Sequence, residues 1–167
     1  MRFRALLLFV LPLALFGQKV QEFCAACHTQ QVADFETHTH HAKGLSCDIC
    51  HGPSLKHRNS IGAASPDRVA SSDQLAALCG ACHTGQAKEY STSKHGKLVA
   101  ERSRTRAASC TTCHGTHSLR AGLETERQCA KCHVSLPASC KAQPARKDAS
   151  VSCMNCHAQH TLQAGGG

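Results

Sequence analysis

Cys24-Ala25-Ala26-Cys27-His28 decides how this chain is interpreted, because it is the first of six copies of one pattern. The second to sixth copies are Cys47-Asp48-Ile49-Cys50-His51, Cys79-Gly80-Ala81-Cys82-His83, Cys110-Thr111-Thr112-Cys113-His114, Cys129-Ala130-Lys131-Cys132-His133 and Cys153-Met154-Asn155-Cys156-His157. Cys-x-x-Cys-His is the attachment sequence of haem c. Its two thiols form thioethers with one porphyrin, and the histidine that follows binds the iron as the proximal ligand. The pattern therefore predicts six covalently bound haem c groups.

Three other uses of cysteine explain the pattern less well. A disulfide framework accounts for many cysteines in an exported chain, but not for a histidine after every second one. Zinc sites use Cys-x-x-Cys pairs without needing histidine at the next position. A thioredoxin-like motif occurs once rather than six times. Haem attachment is favoured, and the predicted proximal ligands are His28, His51, His83, His114, His133 and His157.

The six motifs are organised in three repeats, each with two motifs. The repeats cover about residues 23–62, 78–121 and 128–162. In the first and second repeats an aromatic residue and a histidine separate the motifs, and a glycine and a further histidine follow the second motif. The third repeat keeps a further histidine after its second motif, at His160, but Cys140 stands at the aromatic position and Ala145 at the histidine position.

Seven histidines outside the motifs are candidates for the second, distal axial position of the irons. Five of them recur in repeat register, namely His40, His57, His95, His117 and His160, whereas His38 and His41 flank His40 without register and are more typical of bystanders. Because the third repeat lacks a histidine at Ala145, the sixth distal ligand stays open between His38, His41, Cys140, Met154, a lysine and an open iron. For Cys140, a small packed side chain is favoured over a thiolate ligand.

Residues 1–17 predict a secretory signal peptide. A basic start precedes an apolar run from Ala5 to Phe16, which is shorter than the roughly 20 residues that cross a bilayer. A buried helix and an uncleaved anchor are the less favoured alternatives. We expect export, a mature chain that begins near Gln18, and a single domain over residues 18–167 that does not span the membrane.

The mature chain is poor in side chains that could build a core. Phe23, Phe35 and Tyr90 are its only aromatic residues. Chains that lack such residues are usually held by covalent staples or metals. We therefore expect a mostly irregular fold with short α-helices, little or no β structure, and haem at its centre.

Local patterns place a few helices and loops. Ser71 and Gln74 predict a capping box for a helix that runs into Cys79. Residues 86–102 can be helical, with Gly96 as a weak point. The stretches 52–65 and 134–151 are rich in residues typical of loops, and no alternating strand pattern is present.

The doubled motifs resemble the multihaem c-type cytochromes, in particular the small pentahaem electron donors of nitrite reduction and the decahaem conduit cytochromes. The resemblance covers nearly all of residues 23–162 and is strongest around Tyr90, His95 and His117. It implies an electron relay in the bacterial periplasm, or in an outer-membrane or extracellular complex, with close low-spin bis-His haems. It also implies redox protein partners, namely a quinol-oxidising membrane cytochrome, a terminal reductase or an outer-membrane conduit. The alternatives are a small reductase of nitrite or hydroxylamine type with one open iron, and a subunit of an extracellular conduit.

The basic composition does not indicate a nucleic-acid partner. The formal net charge of +8 includes two arginines of the leader. Six haems would add about −12 from propionates and about +6 from ferric porphyrins, which brings the oxidised mature protein close to neutral. An exported chain with few aromatic residues for base stacking is also a poor candidate for nucleic-acid binding. The sequence predicts an electron carrier rather than an enzyme.

Overall fold

The structure is a computed structural model that describes residues 21–101, 107–135, 138–141 and 152–164. The predicted signal peptide and the position of Ala145 lie outside the described residues. Within them the chain consists of helices and irregular segments, and the one extended pairing is an isolated antiparallel bridge between His157 and Ala164. The expectation of short helices without a sheet is confirmed.

The helices are short, and most are bounded by a haem motif or by a distal candidate histidine. They are α1 (Thr29–Glu36), α2 (Thr39–Ala42), α3 (Cys47–His51), α4 (Leu55–Asn59), α5 (Ser72–Gly80), α6 (Thr84–Thr92), α7 (Lys94–Ala100), α8 (Cys110–His114), α9 (Leu123–Cys132), α10 (Ala138–Lys141) and a 3₁₀ helix (Cys153–Asn155). Residues 21–25 are helical as well.

The chain forms two compact units, Met1–Arg68 and Val69–Gly167. In the N-terminal unit, which holds the first repeat, α1 packs against α2. In the C-terminal unit, which holds the second and third repeats, α5 packs against α6, α7 and α8, and α8 packs against α9. The single domain and the exact repeat boundaries stay predictions.

The helix predicted to run into Cys79 is present as α5. The backbone N–H of Ser71 donates to the side-chain oxygen of Gln74 at 2.9 Å, as a capping box requires. This first turn fixes the start of α5, so that the first cysteine of the third motif lies in its last turn. The prediction is confirmed.

The helix predicted over residues 86–102 is instead two helices, α6 and α7, which separate at Ser93. The Ser93 hydroxyl accepts a hydrogen bond from the N–H of Gly96 at 2.9 Å and so begins α7. A Cβ on Gly96 would lie 2.1 Å from the carbonyl oxygen of Tyr90. The predicted weak point at Gly96 was therefore wrong, since this glycine allows the start of α7 to approach the end of α6.

The two predicted loops also contain helices. Residues 52–65 include α4, which follows a left-handed Ser54 whose N–H donates to the Asp67 carboxylate at 2.8 Å. Residues 134–151 include α10, and residues 136–137 and 142–151 of that stretch lie outside the described part. Loop-like composition did not reveal α4 because the side chain that fixes its start lies 13 residues further on.

Few apolar side chains are buried by the polypeptide itself. Among the described residues the buried apolar side chains are Val32, Leu75 and Val99. Several large apolar side chains are exposed instead, including Ile49 within the second motif and Val134 directly after the fifth. Such a chain needs another apolar body to complete its core.

Candidate haem sites

The first motif of each repeat has one local geometry. The histidines His28, His83 and His133 each have φ between −107° and −91° and ψ between 50° and 61°, outside the helical region. In each case the histidine N–H donates at 2.9 Å to the carbonyl of the first cysteine of its motif. The Cys-x-x-Cys segment is thus one closed helical turn, and the histidine stands just beyond it.

The second motif of each repeat begins after a serine, at Ser46, Ser109 and Ser152. These serines are extended, and the Ser152 hydroxyl accepts the N–H of Met154 at 3.0 Å. Ser109 forms a capping box with Thr112. The recurring serine could have been read from the sequence as an N-cap signal for the second motif.

A glycine ends the second motif in the first and second repeats. Gly52 has φ +72° and Gly115 has φ +83°, a range of φ that glycine adopts without strain because it has no Cβ. A Cβ on Gly115 would lie 2.1 Å from the carbonyl oxygen of Ser118. This glycine therefore allows the sharp turn after His114.

Each repeat brings the first cysteines of its two motifs together. The pKa of Cys47 is raised to about 11 by burial and by the adjacent Cys24. In the second repeat the Cys79 thiol is hydrogen-bonded to Cys110, which raises the pKa of Cys79 and lowers that of Cys110 to about 7. In the third repeat burial raises the pKa of Cys129, with a smaller effect of Cys153.

The second and third repeats are also close at their motifs. Cys113 of the fourth motif interacts with Cys132 and with Cys129 of the fifth. The pKa of His114 is lowered by burial, then by His160, with a smaller effect of His83. The four motifs of the C-terminal unit therefore form a continuous row from the third to the sixth.

Three pairs of imidazole rings join a motif histidine to a distal candidate. The ring centroids of His28 and His57 are 6.2 Å apart, those of His95 and His133 are 5.9 Å apart, and those of His114 and His160 are 6.2 Å apart. In contrast, the rings of the neighbours His38 and His40 are 4.6 Å apart. Burial and the adjacent His133 lower the pKa of His95, which keeps its ring neutral, as a metal ligand must be.

Hydrogen bonds to backbone carbonyls orient four of the histidine rings. The Nδ1 atoms of His57 and His51 lie 2.7 and 3.0 Å from the carbonyl oxygens of Ala64 and Arg68. The Nδ1 atoms of His157 and His41 lie 3.2 Å from the carbonyl oxygens of Leu162 and Glu36. A carbonyl can only accept, so Nδ1 carries the proton and Nε2 keeps its lone pair for a metal.

His160 has a carboxylate partner instead of a carbonyl. Its Nδ1 lies 3.4 Å from Oε2 of Glu89, which is on α6 of the second repeat. A carboxylate at this position orients a metal-binding imidazole and raises its basicity.

The His38 ring accepts a hydrogen bond at Nδ1, whereas the rings described above donate from Nδ1. It is buried, and its Nδ1 accepts the backbone N–H of His40 at 3.0 Å, so that its side chain caps α2. In a neutral imidazole with Nδ1 as acceptor, the proton is on Nε2, which then has no lone pair for iron. Among the two histidines out of register, the structure thus makes His38 a helix cap and leaves His41 able to bind a metal.

The remaining candidates lie near, but outside, these three pairs. His40 is on α2, half-buried, and His117 is half-buried in the bend after Gly115. Cys140 is half-buried on α10. Within the described residues no three metal-binding side chains of His, Cys, Asp or Glu form a cluster.

The exposure of the motif cysteines and histidines is also what attachment of a haem requires. The second cysteine is exposed in five of the motifs, at Cys27, Cys50, Cys82, Cys132 and Cys156. The motif histidines His28, His83 and His133 are exposed too. Thiols and imidazoles that face open space beside exposed apolar side chains are accessible to a flat, apolar, metal-bearing group.

Comparison with known protein families identifies the chain. The sequence model of the Cytochrome c3 family matches residues 39–134, which contain four complete motifs. The chain belongs to the cytochrome c3 family. Members of this family are multihaem electron-transfer proteins that bind haem c covalently, and they are typically periplasmic. No curated protein and no solved structure matches this cytochrome c3 chain significantly. In the part of the chain that the structure describes, no helix is long and apolar enough to cross a membrane.

Proposed function

We propose that this cytochrome c3 family member is a hexahaem electron carrier. It relays electrons through closely packed, mostly bis-His haems between respiratory redox partners after export to the periplasm. The twelve motif cysteines attach the haems, and the six motif histidines are the proximal ligands. The observation that carries this proposal is the set of three imidazole pairs, each of which joins one motif histidine to one histidine outside the motifs.

The separation within these pairs is that of two ligands on one iron. With metal–imidazole bonds of about 2 Å, the centroids of two imidazoles on opposite sides of a metal lie about 6 Å apart. The three observed separations, 5.9 to 6.2 Å, match this value. Two imidazole ligands occupy both axial positions, so that the bound haem supplies one-electron chemistry without an open site.

The number of imidazoles also supports six bis-His irons. Thirteen histidines less six proximal ligands leave seven. His38 uses its acceptor nitrogen to cap α2, so that it leaves the ligand set. Six histidines then remain for six distal positions: His40, His41, His57, His95, His117 and His160.

The spacing of the motifs supports a relay. In the C-terminal unit Cys79 contacts Cys110, Cys113 interacts with Cys132, and Cys129 interacts with Cys153. Each porphyrin attached in the C-terminal unit would therefore have another porphyrin attached close to it. The protein's task is to hold these groups in sequence and to set the environment of each iron.

The test is a combined count of haems and of spin states. The protein, matured in a host that attaches haem c, is expected to carry six haem masses and to show only low-spin ferric signals. A protein with fewer than six haems would overturn the hexahaem assignment. A high-spin signal that shifts on addition of nitrite or cyanide would instead support a reductase with an open iron.

A further inference from the structure

We propose that the second and third repeats exchange axial ligands, which rests on the proposed function above. His95 of the second repeat is the distal ligand of the haem at Cys129 and Cys132 in the third. His160 of the third repeat is the distal ligand of the haem at Cys110 and Cys113 in the second. The two ring pairs that cross the repeat boundary carry this inference.

The exchange is not what repeat register predicts. In the first repeat His57 lies opposite His28, within one repeat. His160 has the same register position as His57, yet it lies against His114 of the preceding repeat. The pairing is therefore set by how the second and third repeats pack together, and not by position within a repeat.

The positions of both distal histidines are fixed by local structure. The Ser93 hydroxyl and the close approach of Gly96 to Tyr90 hold the start of α7, which carries His95. On the other side of the boundary, Glu89 of the second repeat holds Nδ1 of His160.

The sixth motif, which begins at Cys153, is also hydrogen-bonded to α9. The N–H of Cys153 donates to the carboxylate of Glu126 on α9, so that the second motif of the third repeat is held against α9. α9 in turn packs against α8, which carries His114. These contacts place His160 beside the fourth motif rather than the fifth.

The exchange explains the missing histidine of the third repeat. The position of Ala145 corresponds to His95 by register. The fifth haem obtains its distal ligand from His95, one repeat earlier, so that this haem does not need a histidine at the Ala145 position.

The test combines a ligand substitution with removal of a single haem in the full-length protein. His95→Met is expected to convert one of six haems from bis-His to His/Met ligation, seen as a new methionine–iron absorption band and one component of raised potential. Lys94→Met places the same side chain at the exposed neighbouring position and leaves all six haems bis-His. His160→Met and Gln159→Met form the equivalent pair for the fourth haem.

The haem that has lost its ligand is identified by deletion. In a C129A/C132A background, which lacks the fifth haem, His95→Met is expected to leave the spectrum of the remaining five haems unchanged. In a C79A/C82A background, which lacks the third haem, the His/Met signal is expected to persist. The reverse result in either background would show that His95 serves the haem of its own repeat and would overturn the exchange. If the C129A/C132A background does not mature, a C110A/C113A background, which lacks the fourth haem, is used beside C79A/C82A. Persistence of the signal in both is then expected, and its loss in either would overturn the exchange.

These outcomes are separate from those that test the proposed function. Six low-spin haems in the unmodified protein support the electron carrier whichever histidine serves which iron. Fewer than six low-spin haems in the unmodified protein would remove the hexahaem carrier assignment. Six low-spin haems together with the reversed result in the cysteine-deletion backgrounds would remove only the exchange.

Discussion

Replacement of Glu89 by glutamine is expected to raise the reduction potential of one haem. Glu89 lies 3.4 Å from Nδ1 of His160, and the side chains of Glu89 and His160 are 56% and 28% exposed. The negative charge of Glu89 would stabilise the ferric state of the haem that His160 binds, because the ferric state carries one more positive charge than the ferrous state. Removal of this charge therefore favours reduction. Glutamine keeps the size of the side chain and its hydrogen-bonding oxygen.

The size of this effect follows from Coulomb's law. If His160 binds an iron as proposed, the carboxylate would lie across one imidazole ring from the metal, roughly 7 Å away with a metal–nitrogen bond of about 2 Å. Because the carboxylate is more than half exposed, an effective dielectric constant between about 20 and 80 applies, and the interaction is on the order of 1 kcal/mol. For a one-electron couple this is a rise of roughly 40 mV.

The assay is a spectroelectrochemical titration of the protein with its haems attached. Glu89→Gln is expected to shift one component of the titration upwards and to leave the others in place, with less effect at high ionic strength. Glu124→Gln removes the same charge from an exposed side chain in the first turn of α9 and serves as the control. A titration curve identical to that of the unmodified protein at low ionic strength, or a downward shift, would refute the placement of Glu89 beside an iron ligand.

Three further substitutions test the local structure around the sites. Gly96→Ala, whose Cβ would lie 2.1 Å from the Tyr90 carbonyl, is expected to displace α7 and to produce high-spin haem in the EPR spectrum. The control Gly85→Ala lies in open space on α6 and should stabilise the folded protein by up to about 1 kcal/mol in thermal unfolding. Burial raises the pKa of Tyr90 to about 12, so that the neutral Tyr90 contributes to folding stability below pH 10 and this contribution is lost between pH 10 and 12. Tyr90→Phe should remove this loss of stability, as measured by unfolding at a series of pH values. His38→Ala should lower stability by about 1 kcal/mol through loss of a helix cap, with all haems still low-spin, and His38→Asn, which can cap, should restore most of it.

The features that the sequence predicted are those that depend on near neighbours. Thioether attachment and proximal ligation need five consecutive residues, so that the six motifs could be recognised without any tertiary structure. The capping box at Ser71 and Gln74 likewise involves residues three positions apart, and α5 begins where it predicted. The scarcity of aromatic residues correctly predicted that few apolar side chains are buried among the residues that the structure describes.

The features that the sequence did not predict depend on distant partners. The start of α4 is fixed by Asp67, and the break between α6 and α7 by the approach of Gly96 to Tyr90. The Nδ1 atoms of His38 and His41 have different contacts, a backbone N–H in one case and a carbonyl in the other. Register alone could not separate these two histidines.

Ligand exchange changes how the repeats should fold. In most repeat proteins the interface between neighbours is a packed apolar surface, and each repeat contributes separately to stability. Here the described residues bury few apolar side chains, while two ligand bonds would join the second and third repeats in opposite directions. If each bond restricts the unfolded chain as a cross-link over a loop of this length does, it contributes on the order of 4 kcal/mol. Two such links would tie the second and third repeats together, so that these repeats should unfold in one step, as one unit from Val69 onwards.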